Sequence, residues 1–201
     1  MRKQRLFSAL ALVTAVALSA TGCMANANSN ANSDAGSSDQ TLTIAYSEGG
    51  KTLDPAEAND GTSDTLVVAA YDQLVTYGTT EVDGKRVSDT SVIEPMLAEE
   101  WAVDDTDTVY TFTLRDGVTF QSGNAFTSDD VVRSFEHIAD SASASFLYGM
   151  AGIEAVEAID DKTVQITLGA PNHLFLQILP MYSFSMLDMD LVDENGGAEW
   201  L

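Results

Sequence analysis

Between Tyr110 and Arg115 the chain alternates strictly, with Tyr110, Phe112 and Leu114 apolar and Thr111, Thr113 and Arg115 polar. A period of two places these sets on opposite faces of a strand, so one face must be buried and the other solvated. Thr163–Leu168 repeats the pattern with Val164, Ile166 and Leu168 inward. Each run follows an acidic turn. Asp104-Asp105-Thr106-Asp107 separates it from Trp101-Ala102-Val103, and Asp160-Asp161 separates its counterpart from Ile153–Ile159. The expectation is two half-buried antiparallel pairs whose apolar side needs a second layer.

A helix starting after Thr127 supplies that layer. Thr127 is its N-cap, Asp129 and Asp130 sit in the first turn, and Val131, Val132, Phe135 and Ile138 form its apolar face. Upstream, Thr41–Tyr46 reads as a strand, and a helix from Thr62 carries Leu66, Val67, Ala70 and Leu74 on one side. Val75–Thr79 returns to strand, and Thr79–Val82 pairs with Lys85–Val87 around Asp83-Gly84. A further helix covers His173–Leu179. No internal repeat is present. The fold class is α/β or α+β with mixed strands.

Composition narrows the function. The 201 residues hold 9 Lys+Arg against 31 Asp+Glu, and from Cys23 onward only six basic residues face all the acidic ones. So few scattered cations cannot neutralise a row of phosphates, which excludes nucleic acid as a partner. One Cys excludes an intramolecular disulfide framework and a thiolate zinc cluster.

The first 22 residues read as a secretory signal. Arg2, Lys3 and Arg5 precede an apolar stretch from Leu6 to Ala20, shorter than the ~20 residues a membrane-spanning helix needs. It stops at Ala20-Thr21-Gly22-Cys23, which resembles the bacterial lipobox and implies lipid attachment at Cys23. The aliphatic residue usual three places before the Cys is replaced by Ala20. Residues 23–40 form a tether: Met24–Gln40 is low-complexity Ala/Asn/Ser, with an expected r.m.s. reach of roughly 20–25 Å. Residues 41–201 are the folded body, held outside the cytoplasmic membrane.

From Ile93 to Glu136 an ordered set of residues carries a more specific likeness. Glu94-Pro95 and Leu97-Ala98-Glu99 lead to Trp101, then Tyr110-Thr111-Phe112, Leu114-Arg115, Gly117, Val118, Phe120 and Gly123, and Thr127 with Asp130-Val131 opens the helix bearing Ser134-Phe135. Thr52-Leu53-Asp54-Pro55 precedes it, and Val156–Asp161 with Thr163-Val164 follows. This resembles the family 5 extracellular solute-binding proteins of bacterial ABC importers over residues 41–170. Here Ser122 and Ala125 stand around Gly123-Asn124, where the family commonly has Asp and Pro. The resemblance implies the first lobe of a two-lobed, periplasmic-binding-protein-like fold, incomplete here. It also implies peptides or other small solutes as ligands, a membrane permease as partner, and no cofactor. Trp101 and Phe120 read as core, and Gly117 and Gly123 as points where the chain reverses around Phe120.

The resemblance also implies solute contacts from Asn59, Asp60, Gly61 and Thr62, and from Phe146 and Tyr148 after the Thr127 helix. Physically, a helix start at Thr62 offers backbone N–H groups and Gly61 allows close approach, but the same four residues could simply cap the helix. Both readings stand at this point. The second lobe, which would complete the cleft, has no counterpart in these residues, so weak or no solute binding is expected from them alone.

Catalytic and metal patterns are missing from the sequence. It contains no Gly-x-Ser-x-Gly, no Gly-Lys-Ser/Thr phosphate cradle and no His-Glu-x-x-His. His137 and His173 read as helix-end or surface residues, Asp104, Asp105 and Asp107 as solvated turn carboxylates, and Met181, Met186 and Met189 as packing. A binding protein and not an enzyme is the expectation, with a structural or signalling surface lipoprotein as the rival. Exposed apolar surface where the second lobe would pack is expected for an incomplete binding protein, and a closed polar surface there for the rival.

Overall fold

In the computed structural model, which describes residues 43–201, the two alternating runs lie side by side at the centre of one antiparallel sheet. Strands β3 (Ala98–Val103), β4 (Val109–Leu114), β5 (Ile153–Asp160) and β6 (Thr163–Leu168) order as β3-β4-β6-β5. Tyr110 opposes Ile166 and Phe112 opposes Val164 in the β4–β6 register. All the inward residues of both strands are therefore buried on one face, as their spacing requires.

Helix α2 (Ser128–Asp140) covers that face. Thr127 has extended geometry, and its N–H and Oγ1 both donate to Asp130 at 2.9 and 3.0 Å. Val131, Phe135 and Ile138 point into the core with Phe126, Phe175 and Phe184. Rings meet at Tyr110–Phe175 (4.5 Å) and Phe135–Phe184 (5.6 Å). Each fully buried Phe contributes about 1.5–3 kcal/mol by removal from water. Trp101 and Phe120 are partly buried and pack on this cluster, Phe120 from a loop. Gly117 (φ 69°) and Gly123 (φ 96°) turn the chain on either side of Phe120. Met186 is buried and Met181 packs against the same core.

Strands β1 (Val75–Val82) and β2 (Lys85–Pro95) form a separate hairpin that runs past the expected ends. Asp83 (φ 51°) and Gly84 (φ 71°) make its two-residue turn, the geometry that matches strand twist. The remaining helices are α1 (Gly61–Ala70), α3 (Ser145–Ala151), α4 (Phe175–Ile178) and α5 (Met189–Glu194). Contacts group Ile44–Leu201 as one unit. No helix among the described residues is long and apolar enough to cross a membrane.

Four expectations change. No β-ladder includes Thr43–Tyr46, the described end of the strand expected over Thr41–Tyr46, and Ile44 and Tyr46 are exposed. Alternation marks a strand only where a sheet edge accepts it. Helix α1 buries Ser63 and Val67, whereas Leu66 and Ala70 face outward. Its chain leaves helical geometry at Tyr71, so Leu74 reaches the core from beyond the helix. The helix expected over His173–Leu179 shortens to α4, and α3 and α5 had no strong signal. Cys23 and the signal and tether segments lie outside the described residues.

Candidate functional site

The segment Thr52–Asp60 is a loop held from several sides. Pro55 fixes a tight turn in which Asp54 accepts from Ala56 N–H through Oδ1 (2.8 Å) and from Ala58 N–H through its carbonyl (2.9 Å). The Asp54 side chain is buried, and His137 Nε2 of α2 lies 2.9 Å from both of its carboxylate oxygens. Glu57 accepts from the Ser143 and Ser141 hydroxyls at 2.7 and 2.8 Å, and these bonds, Ser143's first, hold its carboxyl below the usual range. Ser141 Oγ also lies 2.9 Å from the Ala56 carbonyl, and it accepts from Ser143 and Ala144 N–H. The loop is thereby tied to the linker that starts α3.

Asp60 ends the loop as the N-cap of α1. It accepts from Thr62 N–H (3.2 Å), Ser63 N–H (3.1 Å) and Ser63 Oγ (2.7 Å), and its carboxyl is lowered chiefly by the Ser63 hydroxyl. The helix-start N–H groups that a solute could use are therefore already engaged at Thr62 and Ser63. Thr62 Oγ1 donates to the Glu48 carbonyl (3.3 Å). Asn59 is exposed, and a side chain at Gly61 would meet nothing within 4 Å. The missing side chain at 61 is not demanded by the protein's own packing.

On α3, Phe146 is 66% exposed, while Tyr148 is partly buried against the core, where burial first and Glu136 second push its phenol up. Two positions apart on a helix, they face different ways. Met150 and Leu174 are exposed as Phe146 is, and Asn172 ties their segments by donating to the Met150 and Ala151 carbonyls and accepting from Leu174 N–H.

None of the six expected contact residues lines either of two cavities. One, of about 320 Å³, is apolar, with Tyr71, Phe120, Phe126, Leu191 and Trp200 among its walls. Its buried Asp188 accepts from Ser122, Asn124 and Leu191 N–H. Burial pushes that carboxyl up, but these donors and Arg133 outweigh it and leave it lowered. Asp188 is thus the N-cap of α5 with both oxygens engaged. The other, of about 490 Å³, lies beside the locked loop and is bordered by Lys51, Asp54, Glu57, His137, Asp140 and Glu199.

His137 is a tertiary partner and not the surface residue its helix-end position suggested, while His173 is exposed. Its contact with Asp54 spans 83 residues of chain. Only the complementary types of the two residues could have pointed to it. Asp104 is a solvent-exposed turn carboxylate that accepts from Thr106 Oγ1 and from Thr108 and Val109 N–H. Arg115 holds a loop by donating to the Met96 carbonyl. No Ser, Thr or Cys hydrogen-bonds to either His among the described residues, and these residues include no cluster of three or more His, Cys, Asp or Glu able to hold a metal.

A hydrogen-bonded loop and exposed apolar side chains thus stand on a mixed sheet-and-helix body. Residues 92–200 match the family described as bacterial extracellular solute-binding proteins, family 5 (middle region). The chain belongs to this family, whose members are substrate-binding transport proteins and not enzymes. It is 30% identical over 156 residues to the glutathione-binding protein of Escherichia coli strain K12, which covers 77% of this chain and 28% of that one. Among solved structures it is similar to the periplasmic binding protein DppA from Helicobacter pylori in complex with the peptide STSA (35% identity, TM-score 0.59, 73% of this chain and 30% of that one). It is also similar to MoaA of A. tumefaciens R10 in complex with mannopinic acid (34%, TM-score 0.64, 74% and 29%). The chain spans less than a third of the length of the curated relatives it matches. The fold is that of part of a periplasmic binding protein.

Proposed function

We propose that these residues form one wall of the solute cleft of an extracytoplasmic binding protein that captures peptides and delivers them to an ABC permease. Lobe closure would trap the solute. The observation that carries the reading is the family match over residues 92–200, joined by the 35% identity to a structure holding a peptide. Leu66 and Val68 on α1, and Phe146, Met150 and Leu174 at the α3–α4 end, expose apolar surface of the kind a binding face uses. Solute contacts at Asn59–Thr62 would then run through Asn59 and the open space beside Gly61, because Asp60 serves α1 as its cap. The acidic body disfavours anionic ligands. Lipid attachment at Cys23 would hold the protein at the membrane, with residues 24–40 as the tether.

Disruption of the gene that carries this sequence, followed by uptake of labelled di-, tri- and oligopeptides and glutathione, tests the proposal. Loss of uptake of one such class, restored by the intact gene, is the expected result. Unchanged uptake of all of them contradicts it.

A further inference from the structure

Asp54 lies deep in the structure, yet its only cationic contact among the described residues is an imidazole. That imidazole sits in the last turn of α2, where a positive charge is favoured by the helix dipole. We propose that His137 and Asp54 form a proton-operated latch: protonated His137 clamps the Asp54–Asp60 loop to the end of α2, and neutral His137 releases part of that hold.

The surroundings support a titrating role. Asp54, Glu57 and Lys51 face the imidazole's cavity from the loop, Asp140 and Ser141 from the end of α2, and Glu199 from the C-terminal turn. Four carboxylates therefore oppose one ammonium, and the nearby Tyr71 phenol is raised first by burial and second by the Asp54 charge. The Asp54 hydrogen bond is the main cause that raises the His137 pKa above its ordinary value. Burial opposes this, and the charges of Asp54, Glu57 and Asp140 add to it. The adjoining cavity of about 490 Å³ gives protons a path to solvent. Because the folded-state value is raised, the latch contributes its full stability below the unfolded value of about 6.5 and loses it as pH rises through the raised value. A neutral imidazole with its proton on Nε2 still donates one hydrogen bond, so release is a loosening and not an unfolding.

The latch stands on its own geometry, and its consequence for solute rests on the proposed role of Asn59–Thr62. Amide hydrogen exchange of the full-length protein at about pH 5.5 and about pH 9, corrected for intrinsic rates, tests it. Protection at Ala56, Glu57 and Ala58 is expected to fall at the higher pH, about tenfold for each unit by which the folded pKa exceeds the unfolded one. Phe112 and Val164 in the central strands should not follow. His137→Gln should remove the pH dependence, and His173→Gln should keep it. Equal protection at both pH values, a change shared by the central strands, or a His137→Gln protein that keeps the dependence overturns the latch. Should His137→Gln not fold, NMR titration of His137 in the wild type decides: a midpoint above about 6.5 supports the latch, and one at or below it overturns the proposal. A latch that fails here leaves the uptake proposal intact, and a failed uptake assay leaves the latch intact.

Discussion

Removing one hydroxyl, in Ser141→Ala, should loosen the join between the loop and α3. Ser141 is buried, and its Oγ lies 2.9 Å from the Ala56 carbonyl and 2.8 Å from Glu57 while accepting from Ala144 N–H at 2.9 Å. Alanine leaves the Ala56 carbonyl and the Ala144 N–H without that partner, both of them on buried residues. A buried polar group left unmatched costs about 1–3 kcal/mol, so two such groups cost roughly 2–6 kcal/mol. For a body of this size that is a fall in Tm of roughly 4–24 °C, at about 2–4 °C per kcal/mol. Ser143→Ala removes a hydroxyl that meets only Glu57, at a half-buried position, and should cost less than about 1 kcal/mol. Urea unfolding monitored by near-UV circular dichroism checks both. Equal costs for the two variants, or no shift with Ser141→Ala, would refute the reasoning that this serine joins the two segments.

Phe112→Ala should cost about 3–5 kcal/mol in the same assay, because the ring is fully buried opposite Val164 at the sheet centre. Gly61→Ala should be neutral or stabilising by up to about 1 kcal/mol, since its Cβ meets nothing and alanine favours helix. Gly78→Ala should destabilise the β1–β2 hairpin, as its Cβ would lie 2.7 Å from Val92. Asp104 accepts first from the Thr106 hydroxyl and then from backbone N–H groups, so its carboxyl is lowered to about 2. The turn it braces is therefore held above the ordinary carboxylate value and lost only as pH falls through about 2, which carboxyl-carbon NMR titration reads directly.

Local chemistry was legible where it was self-sufficient. The alternation of Tyr110, Phe112 and Leu114 needs no distant knowledge to predict a half-buried strand, and Asp83-Gly84 encodes its own turn. Thr127 with Asp130 encodes the start of α2. Legibility failed where a neighbour decides. Leu66 and Val67 look alike in sequence, yet only Val67 finds a covering surface. Helix α3, Ser-Phe-Leu-Tyr-Gly-Met-Ala, has no side-chain cap and no charge to announce it. At the candidate site, the likeness to a family pointed to Asn59–Thr62, and the residues themselves allowed either a contact or a cap. The structure assigns the cap to Asp60. The pairs Asp54–His137 and Glu57–Ser141 join positions more than 80 residues apart, and no local period encodes them.

The central claim is that residues 41–201 supply one wall of a two-walled cleft. Isothermal titration of this segment with a library of short peptides, after circular dichroism has established that it folds, addresses that claim directly. If these residues are one wall of two, their contacts do not offset the entropy of capture, and heats no greater than dilution are expected at micromolar peptide. A saturable, micromolar isotherm from the segment alone would contradict the account.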